Sequence, residues 1–268
     1  MARNLTDQVL VITGGSSGIG AATALACARA GMAVVLNGRR ADRLAEVAER
    51  VRQIGRRAET VVGDVTEPGL SGRLLDVATQ KFGRFDVVFA NAGYGFKKAT
   101  HETPPAELRA IFEVNFFAGV ELLGEAARRL LAARRPGHLL MCSSAVAKFT
   151  LSGFAAYSAT KAAQNHVCRA MRMELRSHGI AVASVHPVTT RTEFFARAAE
   201  FSGGPVLPAG GLRPPASWFV QSPERVARAV VRCLRHPRPE VWTSFTTRLA
   251  AGVMTLFPRL MDVLGAAR

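Results

Sequence analysis

Val9-Leu10-Val11-Ile12-Thr13-Gly14-Gly15-Ser16-Ser17-Gly18-Ile19-Gly20 decides how this chain folds. Val9–Thr13 is a short apolar, β-branched run, which predicts a strand covered on both faces. It feeds a glycine-rich turn, and a helical pattern follows over Ile19–Ala30. Glycine permits positive φ and lets a ligand approach the backbone closely. The helix start offers unpaired N–H groups and the positive end of its dipole to an anion. Strand, turn and helix together predict a cradle for a pyrophosphate. A P-loop would need lysine after the last glycine, and Ala21 stands there. Gly14-Gly15-Ser16-Ser17-Gly18 also fits the G-x-S-x-G elbow of hydrolases, but no strands and no oxyanion loop precede it. A merely tight turn is the plain alternative.

The same alternation continues outward. Strand patterns lie at Ala33–Leu36, Glu59–Val62, Asp86–Ala90, His138–Cys142 and Ile180–Val185. Helical patterns lie at Ala41–Ile54, Leu70–Phe82, Pro105–Ala133 and Ala155–His178. Strands alternating with helices at this spacing predict βαβ units with right-handed crossovers. The expected fold is α/β, a Rossmann-like doubly wound parallel sheet, as one domain of 268 residues with a C-terminal helical extension. Beyond Pro187 the pattern loosens. Ser202–Pro215, rich in Gly and Pro, reads as a loop within a substrate lid over about 190–220. Ser222-Pro223-Glu224 starts a helix running to Leu234, with Ser as N-cap and Pro at the first helical position. Val241-Trp242-Thr243 reads as a last strand.

Net charge is +15, from 35 basic and 20 acidic residues. Such a balance invites a nucleic-acid reading, but Arg39-Arg40, Arg56-Arg57, Arg128-Arg129 and Arg134-Arg135 fall on different elements. No basic block interleaved with aromatics appears, so no nucleic-acid partner is expected. Cys27, Cys142, Cys168 and Cys233 form no C-x-x-C pair and no zinc-like spacing, so no metal is expected. They read as reduced thiols of a cytoplasmic protein. No secretory leader and no transmembrane span are expected.

In its ordered motifs the chain resembles the short-chain dehydrogenase/reductase family over roughly residues 6–195. Thr13, Gly14, Gly18 and Gly20 match T-G-x-x-x-G-x-G; Asp64-Val65 follows the third strand; Asn91-Ala92-Gly93 follows the fourth. Asn115 lies in the next helix, Ser143-Ser144 ends the fifth strand, Tyr157 and Lys161 give Y-x-x-x-K, and Pro187 through Thr192 resembles P-G-x-x-x-T. The resemblance implies that Asp64 holds an adenine, Asn91 lies near the cofactor, and Thr192 lies near its carboxamide. It also implies that Lys161 bonds the nicotinamide ribose, that Asn115 helps hold a water chain from Lys161, and that the protein is a homodimer or homotetramer. Val188 stands where the family often has glycine, which leaves the local backbone open.

The residue types support the implied chemistry. Sites that prefer NAD place a carboxylate at the end of the second strand to bind the ribose 2′-OH. This chain has Asn37-Gly38-Arg39-Arg40 there, and a guanidinium can pair bidentately with a 2′-phosphate. The cofactor expected is NADP(H), held by Gly14, Ser16, Ser17, Gly18, Ile19 and Gly20, with Arg39 first on the phosphate, Ser16 helping and Arg40 as a second guanidinium. Tyr157 and Lys161, at i and i+4, share a helix face. A free phenol titrates near pH ~10, and an adjacent ammonium is expected to lower that. Tyr157 is then the acid/base for a carbonyl–alcohol interconversion. Ser144 lies 13 residues before Tyr157, the family's spacing, and strand alternation points Ser143 the other way.

Tyr94, Phe96, Phe149, Phe154, Phe195 and Trp218 arrive where ligands bind in open α/β sheets, suggesting an apolar pocket for a lipophilic ketone, aldehyde or alcohol. Several of these aromatics can equally be core. Leu249, Val253, Leu256, Phe257, Leu260 and Leu264 form one stripe in a C-terminal amphipathic segment over about 245–268, kinked at Pro258. It packs on its own protein or a twin subunit, or else lies on a membrane surface. A non-catalytic NADP(H)-binding sensor on the same fold is the alternative function, since fold alone does not fix function.

Overall fold

The structure, a computed structural model, describes residues 2–194, 198–199, 202, 220–257 and 259. Within them the strands are β1 Val9–Ile12, β2 Ala33–Gly38, β3 Ala58–Val62, β4 Val87–Ala90, β5 Gly137–Cys142, β6 Ile180–His186 and β7 Glu240–Trp242. They form one parallel sheet in the order β3-β2-β1-β4-β5-β6-β7. The order reverses between β1 and β4, where Leu10 pairs with Val87 and Ile12 with Phe89. That reversal opens a crevice beyond the carboxyl ends of the two strands, the place where such sheets take ligands.

Alternation along the strands divides the core. Leu10, Ile12 and Leu36 face α1 (Gly18–Arg29), α2 (Ala41–Gln53) and α7 (Pro223–Arg235), packing with Ala24, Leu44 and Val230. Val9, Val11 and Val35 point the other way, to α3 (Leu70–Phe82), α5 (Ala118–Ala132) and α6 (Ala155–Leu175), packing with Leu74, Leu123 and Cys168. Both faces are thus covered, which is why the strands read as unbroken apolar runs. All four cysteines are buried as free thiols.

The helical stretch expected over Pro105–Ala133 is three pieces. Helix α4 spans Pro105–Phe112, a π-helical turn spans Glu113–Phe117, and α5 follows. Apolar periodicity does not reveal a single widened turn, and such turns gather at functional sites. Here the turn carries the buried Asn115.

The C-terminal segment is described in part. Helix α8 spans Phe245–Leu256, and Ala251 is its buried residue. Leu249 and Leu256 of the stripe are 60% and 76% exposed, and Phe245 beside them 76%, so this part of the helix faces away from the described residues. The helix docks instead through its small-residue side, where the Thr255 hydroxyl donates to the Lys148 carbonyl at 3.1 Å. Pro258, Leu260 and Leu264 lie outside the described residues, as does the expected loop over 202–215 apart from Ser202. The Ser202 hydroxyl accepts the Lys97 N–H at 2.8 Å. No helix among the described residues is long and apolar enough to cross a membrane.

Candidate active site

The glycine loop lies at the end of β1, on the β1–β4 crevice. Gly14 and Gly18 adopt φ of 64° and 53°. A Cβ on Gly20 would fall 2.1 Å from the Gly14 carbonyl oxygen, so only glycine fits there. Helix α1 has no side-chain N-cap bond and no acidic residue in its first turn. Its first N–H groups and dipole therefore remain available to an anion. Asn91 and Ala92 fix the loop from the β4 side: both N–H groups donate to Thr13 Oγ1, at 3.0 and 3.1 Å, and Asn91 Nδ2 donates to the Thr13 carbonyl at 3.0 Å. A Cβ on Gly93 would sit 3.0 Å from Asn115 Oδ1 and 3.5 Å from Lys161 Nζ. Asn91-Ala92-Gly93 thus bridges the loop to the tyrosine–lysine pair.

The two arginines after β2 point to different neighbours. Arg40 Nη2 reaches Ser17 Oγ at 2.9 Å, Ser16 Oγ at 3.4 Å and Glu193 Oε2 at 2.9 Å. Arg39 is exposed and pairs with Asp64 at 3.3 Å. The physical reason is alternation: adjacent residues on an extended exit from a strand point to opposite sides. Burial opposes charge on Asp64, but hydrogen bonds from the Thr66 N–H and hydroxyl, with the Arg39 guanidinium, outweigh it and hold the carboxyl below its usual range. Val65, beside it, packs against the core.

Tyr157, Lys161 and Ser144 come together as expected. Ser144 lies close enough to the Tyr157 phenol to favour its ionised form. Lys161 Nζ lies 5.5 Å from the centre of the Tyr157 ring and donates to the Cys142 carbonyl at 2.7 Å. The Ser143 hydroxyl points away, donating to the Lys161 carbonyl at 2.9 Å. The electrostatics correct one expectation. Burial pushes the phenol up, with Cys142 adding to the rise and Ser144 opposing it. Burial also pulls Lys161 down to about 8. The pocket is dry enough to disfavour both charges, and no lowering of the phenol by the ammonium is seen.

Asn115 braces this arrangement. Its Oδ1 accepts the Tyr94 N–H at 2.9 Å, and its Nδ2 donates to the Tyr94 carbonyl at 2.8 Å and Thr160 Oγ1 at 3.1 Å. Thr160 donates to the Tyr157 carbonyl at 2.8 Å, and Gln164 Nε2 donates to the Asn115 carbonyl. Sequence reasoning missed Thr160 and Gln164, although positions 157, 160, 161 and 164 share one helix face. It also missed His186, which carries no signal beyond ending a strand. Its Nδ1 lies 2.9 Å from the Ser144 carbonyl and its Nε2 2.8 Å from Ser184 Oγ, with Trp242 stacked on the ring at 4.6 Å. Burial holds His186 down at about 4, so it is neutral and donates Nδ1–H to that carbonyl.

Thr192 reaches the glycine loop: a Cβ on Gly18 would lie 3.0 Å from its methyl. The buried Pro187 precedes Val188, whose φ is not positive, so valine costs no strain where glycine is common. Of the expected pocket aromatics, Tyr94 and Phe149 are partly exposed. Phe96, 2% exposed, is buried. Phe154 clusters with Leu151, Tyr157, Phe194 and Ala198. The Phe194 ring centre is 5.4 Å from that of Tyr157. Phe195 and Trp218 lie outside the described residues.

Residues 8–202 match the family model described as short chain dehydrogenase. The chain is 37% identical over 188 residues to cis-4-hydroxycyclohexanecarboxylate dehydrogenase of Sinomonas cyclohexanicum, covering 70% of this chain and 75% of that one. It is 36% identical to 1-deoxy-11-beta-hydroxypentalenate dehydrogenase of Streptomyces exfoliatus, covering 69% and 68%. An alcohol dehydrogenase from Thermococcus sibiricus, solved with 5-hydroxy-NADP, superposes with a TM-score of 0.74 at 28% identity, over 88% of this chain and 95% of that one. The parallel sheet agrees with these likenesses, and the chain belongs to the short-chain dehydrogenase family of oxidoreductases.

Proposed function

We propose that this protein interconverts a carbonyl compound and an alcohol with NADP(H), using Tyr157 as the proton donor and acceptor. One observation carries the reading: Ser144, Tyr157 and Lys161 converge beside a glycine loop whose helix start is uncapped and whose two serines contact a guanidinium. When bound, NADP(H) supplies the hydride. Gly14, Ser16, Ser17, Gly18, Ile19 and Gly20 would hold its phosphates, with Asp64, Val65, Asn91, Ala92 and Gly93 along the crevice and Pro187 and Thr192 opposite. Lys161 would hold the ribose.

The remaining steps belong to the protein. Ser144 donates its hydroxyl to the substrate oxygen and fixes it beside the phenol. Tyr157, kept protonated at neutral pH by burial, gives its proton to that oxygen as negative charge develops. Asn115 and His186 keep the partners in register, Asn115 through Tyr94 and Thr160, His186 through the Ser144 carbonyl. Phe149, Phe154, Phe194 and Tyr94 favour a lipophilic substrate. Relatives named for a hydroxycyclohexanecarboxylate and a hydroxypentalenate point toward an alicyclic alcohol or its ketone. Exposed Phe117 and Met173 favour a homo-oligomer.

The cofactor preference is testable by binding. NADPH is expected to bind about 10–100-fold more tightly than NADH, because a charge-assisted bond to the 2′-phosphate is worth ~1.5–3 kcal/mol. Arg40→Ala is expected to remove most of the difference and Arg39→Ala a smaller part. Equal affinities in the wild type, measured by titration calorimetry, would overturn the NADP(H) assignment.

A further inference from the structure

Glu193 follows Thr192 on the segment leaving β6 and reaches back to the mouth of the glycine loop. Its Oε2 sits 2.9 Å from Arg40 Nη2, the same nitrogen that contacts Ser17 Oγ at 2.9 Å and Ser16 Oγ at 3.4 Å. The carboxylate therefore occupies the place, beside two serine hydroxyls and one guanidinium, that suits an incoming anion. The pair is 31% and 47% exposed, so water screens it and it exchanges partners at little cost. A phosphate monoester carries about −1.5 to −2 charge at neutral pH and three acceptor oxygens, more than a carboxylate offers the same guanidinium.

We propose that Glu193 is an internal competitor for the 2′-phosphate, a carboxylate that occupies Arg40 until a phosphorylated dinucleotide displaces it. The proposal rests on the reading that Arg40 takes that phosphate. It extends that reading in two ways. Glu193 lowers the affinity that Arg40 would otherwise give, so it sets how strongly the protein distinguishes NADPH from NADH. Glu193 is also flanked by Thr192, whose methyl borders Gly18, and Phe194, whose ring packs on Tyr157. Glu193 thus lies on a segment that touches both the loop and the phenol. NADH, with no 2′-phosphate, leaves the Arg40–Glu193 pair closed. By linkage, the phosphorylated cofactor and whatever holds the 192–194 segment alter each other's affinity by the same factor.

The test uses adenosine 2′,5′-bisphosphate and AMP as probes on the full chain, by titration calorimetry, with circular dichroism to confirm folding. Glu193→Gln is expected to tighten the bisphosphate about fivefold and to leave AMP unchanged, the size of a screened surface pair. In an Arg40→Gln background, Glu193→Gln is expected to change nothing, since the two residues act on one another. Unchanged or weaker bisphosphate binding in Glu193→Gln, with Arg40→Gln still weakening it, would overturn the competitor role and leave the cofactor reading intact. A bisphosphate that binds the wild type no better than AMP would overturn the cofactor reading and the competitor role together. Glu193→Ala serves as the second variant; tightening by both variants supports competition by the carboxylate.

Discussion

Tyr157→Phe is expected to lower turnover about a thousandfold while NADPH affinity stays within about twofold, because a positioned acid–base group contributes ~10²–10⁴ in rate. The substitution keeps the ring that packs against Phe194 and removes only the hydroxyl. Burial raises the phenol, and that decides its resting form: at neutral pH it is protonated and suited to protonating an alkoxide. Ser144 opposes the rise, so the phenol's acidity depends on the serine proposed to meet the substrate. The check is kcat with a panel of cyclic and aromatic ketones, beside a direct NADPH titration. Near wild-type kcat in the variant would remove Tyr157 from the chemistry.

Lys161→Met is expected to abolish most turnover and yet to stabilise the fold at neutral pH. Burial takes Lys161 from 10.5 down to about 8. Between those values the unfolded chain binds the proton more readily than the folded one, so stability rises with pH across the window. Below pH about 8 both forms are charged and the full cost of burying the ammonium applies, roughly 3 kcal/mol. Methionine removes that cost but leaves the Cys142 carbonyl without its donor, a loss of ~1–3 kcal/mol. Set against the middle of that range, the desolvation cost leaves a net gain of about 1 kcal/mol and ~2–4 °C in Tm. Thermal melts at pH 7 and near pH 10 check the sign: the variant's advantage should shrink as pH rises. A variant already less stable at pH 7 would show that the bond to Cys142 outweighs the burial cost.

Much of this could be read from the chain. Val9–Gly20 marks the loop because its apolar run, its glycines and its helix start together suit one anion cradle. Tyr157 and Lys161 share a face by spacing alone, and Ser143 and Ser144 separate by strand alternation. Spacing places the phenol beside the ammonium but is silent on solvent, and it is solvent that sets the direction of both pKa shifts. Arg39 and Arg40 are adjacent, and only the backbone's exit from β2 decides which meets Ser16 and Ser17. Thr160, Gln164 and His186 act on backbone carbonyls, and a carbonyl leaves no mark in a sequence. The widened turn at Asn115 keeps helical periodicity on both sides, so it reads as one helix. The stripe through Leu249 and Leu256 fixes which residues share a face, but periodicity does not say whether that face points in or out.

Transfer of label from NADPH deuterated on the nicotinamide ring, incubated with the wild type and a cyclic ketone, reports on the proposed chemistry most directly. Deuterium bound to the carbinol carbon of the alcohol, and none formed with Tyr157→Phe, is the expected result. NADPH that binds yet delivers no label to any carbonyl in the panel, or label delivered equally well without the phenol, would contradict it.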